Sequence, residues 1–444
     1  MLQRTDPEFS TPAGTYAGAR RGDVVRVGGI VYARAQRFRP PVPVAGAVQD
    51  PRPAVACVQR VDATAQLFGR PYEGVEFDED CHRLSVTLPA GAAAGDGLPV
   101  MVWIHGGAYV TGGGDLPIYD PALLVAEHRV VVVNVTYRLG VLGYLGAAGG
   151  RPANLGLLDQ LAALRWVREN VAAFGGDPDA VTVFGESAGG DAVAHLLASD
   201  GSEGLFRRAV VQSAPLGIRR NRRRMGAALD RAAGDLAADA TAEELLAAEP
   251  LVLAAARRFG LRGGMPFATR YGQVPLPAER EVEARWRRVA PQVDVLVGTT
   301  AQEASLFLDA VPALRAPGAA RSLRRAATAV GTHLVFRRGA RQFAQLLAGA
   351  GGRVEGYELR WAPRGSELGA THGIELPLLF ENPAGWRGAT VLGEASDEEV
   401  ARAGRVLRQV WARFARTGEA GPSPDPEVLR VWPVSAPRRA GRRS

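Results

Sequence analysis

The segment Val181–Gly190, Val-Thr-Val-Phe-Gly-Glu-Ser-Ala-Gly-Gly, constrains this chain more than any other. Val181, Val183 and Phe184 predict a buried β-strand, and a helical pattern starts at Ala188 and runs to about Ala198. The joint between them, Gly185-Glu186-Ser187-Ala188-Gly189, fits G-x-S-x-G. A serine on so sharp a strand-to-helix turn is held in a strained conformation with its hydroxyl pushed outward. Gly185 and Gly189 are small because side chains would collide where strand and helix cross. The helix N-terminus behind Ser187 favours negative charge, which an acyl-transfer intermediate carries. An ordinary turn with a helix-capping serine is the bland reading. The apolar strand before the turn and the helix after it favour a nucleophile.

The rest of the pattern repeats this alternation. Residues 98–104 and 130–135 are continuous apolar runs, which suits parallel strands covered on both faces. Residues 84–88, 209–212, 293–297 and 354–361 read as further strands, and 14–20 and 24–33 as an antiparallel edge. Leu157, Leu161, Leu164, Val167 and Val171 form one helical stripe, closed by Gly175-Gly176-Asp177-Pro178. Residues 225–258 are Ala-rich and predict helix, and 396–417 predict a closing amphipathic helix. Strands alternating with helices predict an α/β fold: a mostly parallel, doubly wound central sheet with helices on both faces. No linker divides the chain, so residues 1–444 read as a single domain with a helical insertion at about 216–288 over the strand ends.

Charge adds little. The net charge of +7 comes entirely from arginine, since lysine is absent, and the 46 acidic residues are spread among the 53 basic ones. Arg219-Arg220-Asn221-Arg222-Arg223-Arg224 and the tail Arg438–Arg443 are the dense basic runs. Neither interleaves with aromatics, so no nucleic-acid partner is expected. No stretch is long and apolar enough to span a membrane, and residues 1–10 show no signal peptide, so the expectation is a cytoplasmic protein. The sequence alone says nothing of the oligomeric state. Cys57 and Cys81 are too few for a disulfide scaffold and lack metal-ligand spacing. A single disulfide and two thiols both stay open, and no cofactor or metal is implied.

Acyl transfer through serine needs a base, a group that orients the base, and donors for an oxyanion. After such an elbow the acid and the histidine follow in that order. Of six histidines, only His333 and His372 come late enough. His333 sits in a basic helix-like stretch. His372 lies in a loop after a strand, where catalytic groups are placed, and is preferred. The loop after residues 293–297 has one carboxylate, Glu303, which would hold the His372 tautomer. The loop His105-Gly106-Gly107-Ala108-Tyr109 follows the strand ending at Ile104 and would bring backbone N–H groups close to an oxyanion. An unperturbed His372 would give an activity that falls in acid with an apparent pKa of about 6–7.

Further motifs carry a resemblance. They are Gly29-Ile30-Val31-Tyr32-Ala33 with Arg37-Phe38, Glu79-Asp80-Cys81-His82-Arg83-Leu84, Asp159-Gln160, Phe174–Pro178, Gln212-Ser213, Trp411–Gly418 and Trp432-Pro433. With the elbow they make the chain similar to type-B carboxylesterases, α/β-hydrolases that include bacterial para-nitrobenzyl esterases. The resemblance implies a triad of Ser187, Glu303 and His372 and an oxyanion hole of Gly107, Ala108 and Ala188, with Gly106 shaping the turn. It implies that Glu186 and Ser213 support the site, that Cys57 and Cys81 pair in a disulfide, and that the substrate is a small carboxylic ester. A short segment between Glu303 and His372 implies a more open site. Amide, carbamate or lactone hydrolysis by the same groups stays open, as does a non-catalytic binding protein on the same fold. Arg270 and Arg360 would favour acidic substrates if they face the site.

Overall fold

A computed structural model of the chain describes residues 7–436 apart from 53, 62, 147–150, 235, 237, 238, 310 and 312–318. The basic tail 438–443 lies outside the described residues. Ten strands form the central sheet: β1 (Ala19–Arg21), β2 (Val24–Val31), β3 (Arg83–Pro89), β4 (Leu98–Ile104), β5 (Val131–Val135), β6 (Gly176–Glu186), β7 (Arg208–Gln212), β8 (Asp294–Thr300), β9 (Val354–Leu359) and β10 (Leu429–Pro433). Their order is β10-β9-β8-β7-β6-β4-β5-β3-β2-β1. From β5 to β9 every neighbouring pair is parallel. Antiparallel pairs close both ends. The expected α/β architecture is therefore present.

Why the middle strands are apolar on both sides follows from the two-residue repeat of a strand. On β4, Val100, Val102 and Ile104 enter one core, while Met101 and Trp103 enter the other. On β5, Val131, Val133 and Val135 divide from Val132 in the same way. The first core is covered by α1 (Leu155–Asn170) and α2 (Ala188–Leu196). Two helices between β7 and β8, α3 (Arg223–Ala233) and α4 (Ala242–Ala256), add to that face. The second core is covered by α5 (Asp397–Thr417) and the short helix Ala122–His128. There Trp103 meets Phe184 and Phe380, each at 4.9 Å between ring centres. Ser396 caps α5 in a reciprocal pair with Glu399, and Gly418 ends it in the left-handed region.

The Ala-rich stretch 225–258 is not one helix. α3 ends at Ala233, where Gly234 turns the chain at φ 56°, and α4 starts afresh with Thr241 capping Glu244. The apolar alanines hid this break, because a capping box of Thr and Glu also suits a helix surface. His333 falls in a short π-helix, Thr332–Arg337, and is exposed. Among the described residues no helix is long and apolar enough to cross a membrane.

β4 is the point where strand order reverses, since β5 and β6 flank it on opposite sides. Crevices form beyond the C-terminal ends of strands at such a point. The loops leaving β4, β6, β8 and β9 there carry Gly106–Tyr109, Ser187, Glu303 and His372.

Candidate active site

The elbow is built by crowding. A Cβ on Gly189 would sit 2.0 Å from the carbonyl oxygen of Ile104, and one on Gly185 would sit 2.6 Å from the backbone of Gly189. Only glycine allows α2 to start this close to β4 and β6. Ser187 absorbs the turn at φ 58°, a conformation that a non-glycine residue holds only under surrounding constraint. Its N–H donates to Gln212 O at 2.9 Å, and its own carbonyl accepts from Asp191 N at 2.9 Å.

The three residues singled out for the chemistry meet here. Ser187 Oγ lies 2.8 Å from His372 Nε2, and His372 Nδ1 lies 2.6 Å from Glu303 Oε2. Glu303 is fully buried, and its other oxygen accepts from Thr300 N at 2.8 Å. In neutral His372 the Nδ1–H therefore donates to Glu303, leaving Nε2 to accept from the serine. Phe307 and Phe336 flank the imidazole, with ring centres 5.1 and 5.0 Å away. Phe336 is buried, whereas Phe307 is 48% exposed and faces outward as a wall.

Two more carboxylates surround this chain of hydrogen bonds. Glu186 Oε1 is 3.2 Å from His372 Nε2, yet the hydrogen bond of that nitrogen is to Ser187. Glu375 accepts from Ser213 Oγ at 2.7 Å and from Tyr357 OH at 2.5 Å. Ser213 thus does support the site's surroundings, but through Glu375, which sequence reading passed over. Its place three residues after His372 was no signal by itself, since its partners Ser213 and Tyr357 come from distant parts of the chain that only the fold brings together. Burial pushes Glu186 up to about 7, against the pull of His372. Burial, with Glu303 and Glu186 nearby, pushes Glu375 up to about 8. Burial works to lower His372, but Glu186 and Glu303 outweigh it and lift the imidazole to about 9. The value of about 6–7 expected of an unperturbed histidine is corrected upward for that reason.

The loop after β4 is locked by its own backbone. Gly107 O accepts from Val110 N at 2.9 Å and Thr111 N at 3.0 Å. Gly107 turns at φ 106°, and a Cβ there would strike Thr111 O at 2.0 Å. Ala108 and Tyr109 follow at φ 55° and 60°. Among the described residues, neither Gly107 nor Ala108 donates its N–H to another group. A Cβ on Gly106 would come within 3.1 Å of the Ser187 Cβ, so this loop and the elbow touch. Ala188 opens α2, where the first N–H groups have no partner within the helix.

Other expectations resolve elsewhere. Cys57 and Cys81 are both free, buried thiols rather than a disulfide. Cys57 Sγ instead accepts the N–H of Leu139 at 3.3 Å, and Cys57 together with burial pushes the Cys81 thiol up. Arg270 is taken up by Asp230 through two 2.7 Å bonds, and Arg360 lies 3.8 Å from Glu427. Neither arginine contacts the triad residues in these bonds. Arg219 lies over Trp286 and bonds Glu283, so that member of the basic run serves packing. Among the described residues no cluster of His, Cys, Asp or Glu could hold a metal ion.

Sheet topology and elbow together define an α/β-hydrolase. The carboxylesterase family model matches residues 6–318. The chain is 36% identical to a probable N-octanoylanthranilate hydrolase of Rhodococcus erythropolis, over 97% of this chain and 95% of that protein. It is 34% identical to a para-nitrobenzyl esterase of Bacillus subtilis, over 96% and 92%. A solved thermophilic para-nitrobenzyl esterase superposes with a TM-score of 0.78 at 29% identity, covering 97% of this chain and 98% of its own. The chain belongs to the carboxylesterase family and is a hydrolase acting on carboxylic esters of small molecules.

Proposed function

We propose that Ser187, His372 and Glu303 are the catalytic triad and that the N–H groups of Gly107, Ala108 and Ala188 form the oxyanion hole. One observation carries this reading: the continuous hydrogen-bonded chain from Ser187 Oγ through His372 to Glu303. Ser187 attacks the ester carbonyl while His372 Nε2 takes the hydroxyl proton. The carbonyl oxygen, now negative, is met by the three N–H groups and the N-terminal end of α2. His372 then returns the proton to the departing alcohol. Water enters, gives its proton to His372 and attacks the acyl-enzyme, and the acid leaves as Ser187 regains its proton. Glu303 holds the imidazole and stabilises its charged form throughout. The same reading treats residues 1–444 as a single catalytic unit with a helical insertion at about 216–288. It is supported by a sheet that draws strands from Ala19 to Pro433.

Hydrolysis of an N-acyl bond by the same groups is a second reading, favoured by the name of the 36% identical relative, which specifies an N-octanoyl substrate. Hydrolysis of p-nitrophenyl butyrate and of the matching butyranilide by wild type and Ser187→Ala tests both. The variant is expected to lose at least about 10⁴-fold in kcat on whichever substrate is turned over. Turnover that survives in Ser187→Ala would overturn the triad. Turnover of the anilide at a rate close to that of the ester would favour the second reading.

A further inference from the structure

The oxyanion loop carries a difficulty that the triad does not explain. Ala108 and Tyr109 are consecutive non-glycine residues in the left-handed region, at φ 55° and 60°. Each such residue is strained and persists only where its surroundings fix it. The fixing group is the side chain of Tyr109. It is fully buried, its ring centre lies 4.3 Å from that of Tyr144, and its hydroxyl donates to Asp191 Oδ2 at 2.8 Å. Its carbonyl also accepts from Gly140 N at 2.7 Å.

Asp191 is placed to do more than anchor a tyrosine. It stands in the first turn of α2, and its own N–H donates to Ser187 O at 2.9 Å. One residue therefore holds the backbone of the nucleophile and, through Tyr109, the loop bearing Gly107 and Ala108. The oxyanion donors come from two separate segments, and Asp191, on the helix of the second, bonds through its side chain to the tyrosine of the first. It is itself held on the far side. His195 Nδ1 lies 3.3 Å from Asp191 Oδ2 and 2.7 Å from Asp191 O, and His195 Nε2 bonds Tyr271 OH at 2.8 Å. Asp191 and His195 are each 1% exposed, so solvent does not compete for these bonds. The two stand one helical turn apart on one face of α2.

We infer that Asp191 is a positioning residue for the ester hydrolysis proposed above, setting the register of the two halves of the oxyanion hole through the Tyr109 hydroxyl. This rests on the assignment of Gly107, Ala108 and Ala188 as oxyanion donors. It makes the Tyr109 hydroxyl matter to the transition state and not to substrate binding, because the oxyanion exists only after attack.

Tyr109→Phe keeps the ring and deletes only the bond. It is expected to lower kcat for p-nitrophenyl butyrate about 10- to 100-fold, the scale of a small misplacement of catalytic groups, while KM stays within about twofold. Affinity for a trifluoromethyl ketone, which forms a tetrahedral adduct on the serine, should fall in parallel with kcat. Asp191→Asn retains a side-chain oxygen acceptor for the tyrosine and should keep more activity than Asp191→Ala. Tyr109→Phe with kcat and ketone affinity as in wild type would overturn the inference. So would a loss that appears only as a higher KM. If Asp191→Ala fails to fold, the Tyr109→Phe result stands on its own. A wild type that turns over normally beside an unaffected Tyr109→Phe refutes the inference alone. Loss of the Ser187 requirement refutes the reading beneath it.

Discussion

At the scale of single residues, the site is a cluster of acids around one base. Glu303, Glu186 and Glu375 are all buried near His372. Glu303 bonds the imidazole directly, and Glu186 lies against the nitrogen that takes the serine proton in the proposed mechanism. The base works only when neutral, and its neutral form is populated above its pKa. With His372 lifted to about 9 and Glu186 to about 7, kcat/KM should keep rising with pH above neutrality. Glu186→Gln removes the negative charge 3.2 Å from Nε2. It should shift the rising limb of the kcat/KM profile to lower pH by about one unit, the size of effect an opposite charge at such range has. A profile that stays in place in Glu186→Gln would show that Glu303 alone sets the base. That Ser187, Glu303 and His372 would meet was legible because each follows a strand in the order acyl transfer through serine would need. Glu375 and Asp191 were not, since what they do depends on Tyr357, Ser213 and Tyr109, which come from distant parts of the chain.

At the scale of elements, the elbow works because β4, β6 and α2 are in contact at glycine distance. Gly189→Ala would drive a methyl against Ile104 O, an atom of β4 itself. Backbone on both sides has no free rotamer with which to yield. The expected result is a loss of about 2–3 kcal/mol in urea unfolding, the upper part of the range for overpacking, together with a fall in kcat, because β4 leads straight into Gly106–Ala108. Full stability in that variant would mean that α2 can slide away from β4. The strands were legible as continuous apolar runs because both sheet faces are covered. The break between α3 and α4 was not, because helix-forming alanines continue across it and the stop rests on Gly234 and the Thr241 cap.

At the scale of the whole molecule, distant parts of the chain are joined by a buried arginine. Arg408 on α5 is 0% exposed, pairs with Glu127 at 2.6 and 2.9 Å and with Glu381 at 2.7 Å, and also bonds Leu378 O. Removing the cation leaves Leu378 O without its donor and two partly exposed acids without their partner. Arg408→Leu should therefore lower unfolding free energy by about 1–3 kcal/mol. Adding Glu127→Leu and Glu381→Leu should recover much of that, since the unpaired charges then go too. A triple variant no better than the single one would place the loss in packing. Nothing in the sequence marked Arg408 apart from the other arginines of an arginine-rich chain; its role appears only when residues 127, 381 and 408 converge.

The hydrogen bond from Ser187 to His372 joins residues 185 positions apart, and that from His372 to Glu303 spans 69. No contiguous fragment shorter than this stretch contains the proposed triad. Ester turnover is thus a reporter of long-range assembly: during synthesis or refolding it can begin only once β6, β7, β8 and β9 have found their places side by side. Activity recovered against time would follow the last of these strands to dock, whereas circular dichroism would register helices and sheet that form before it.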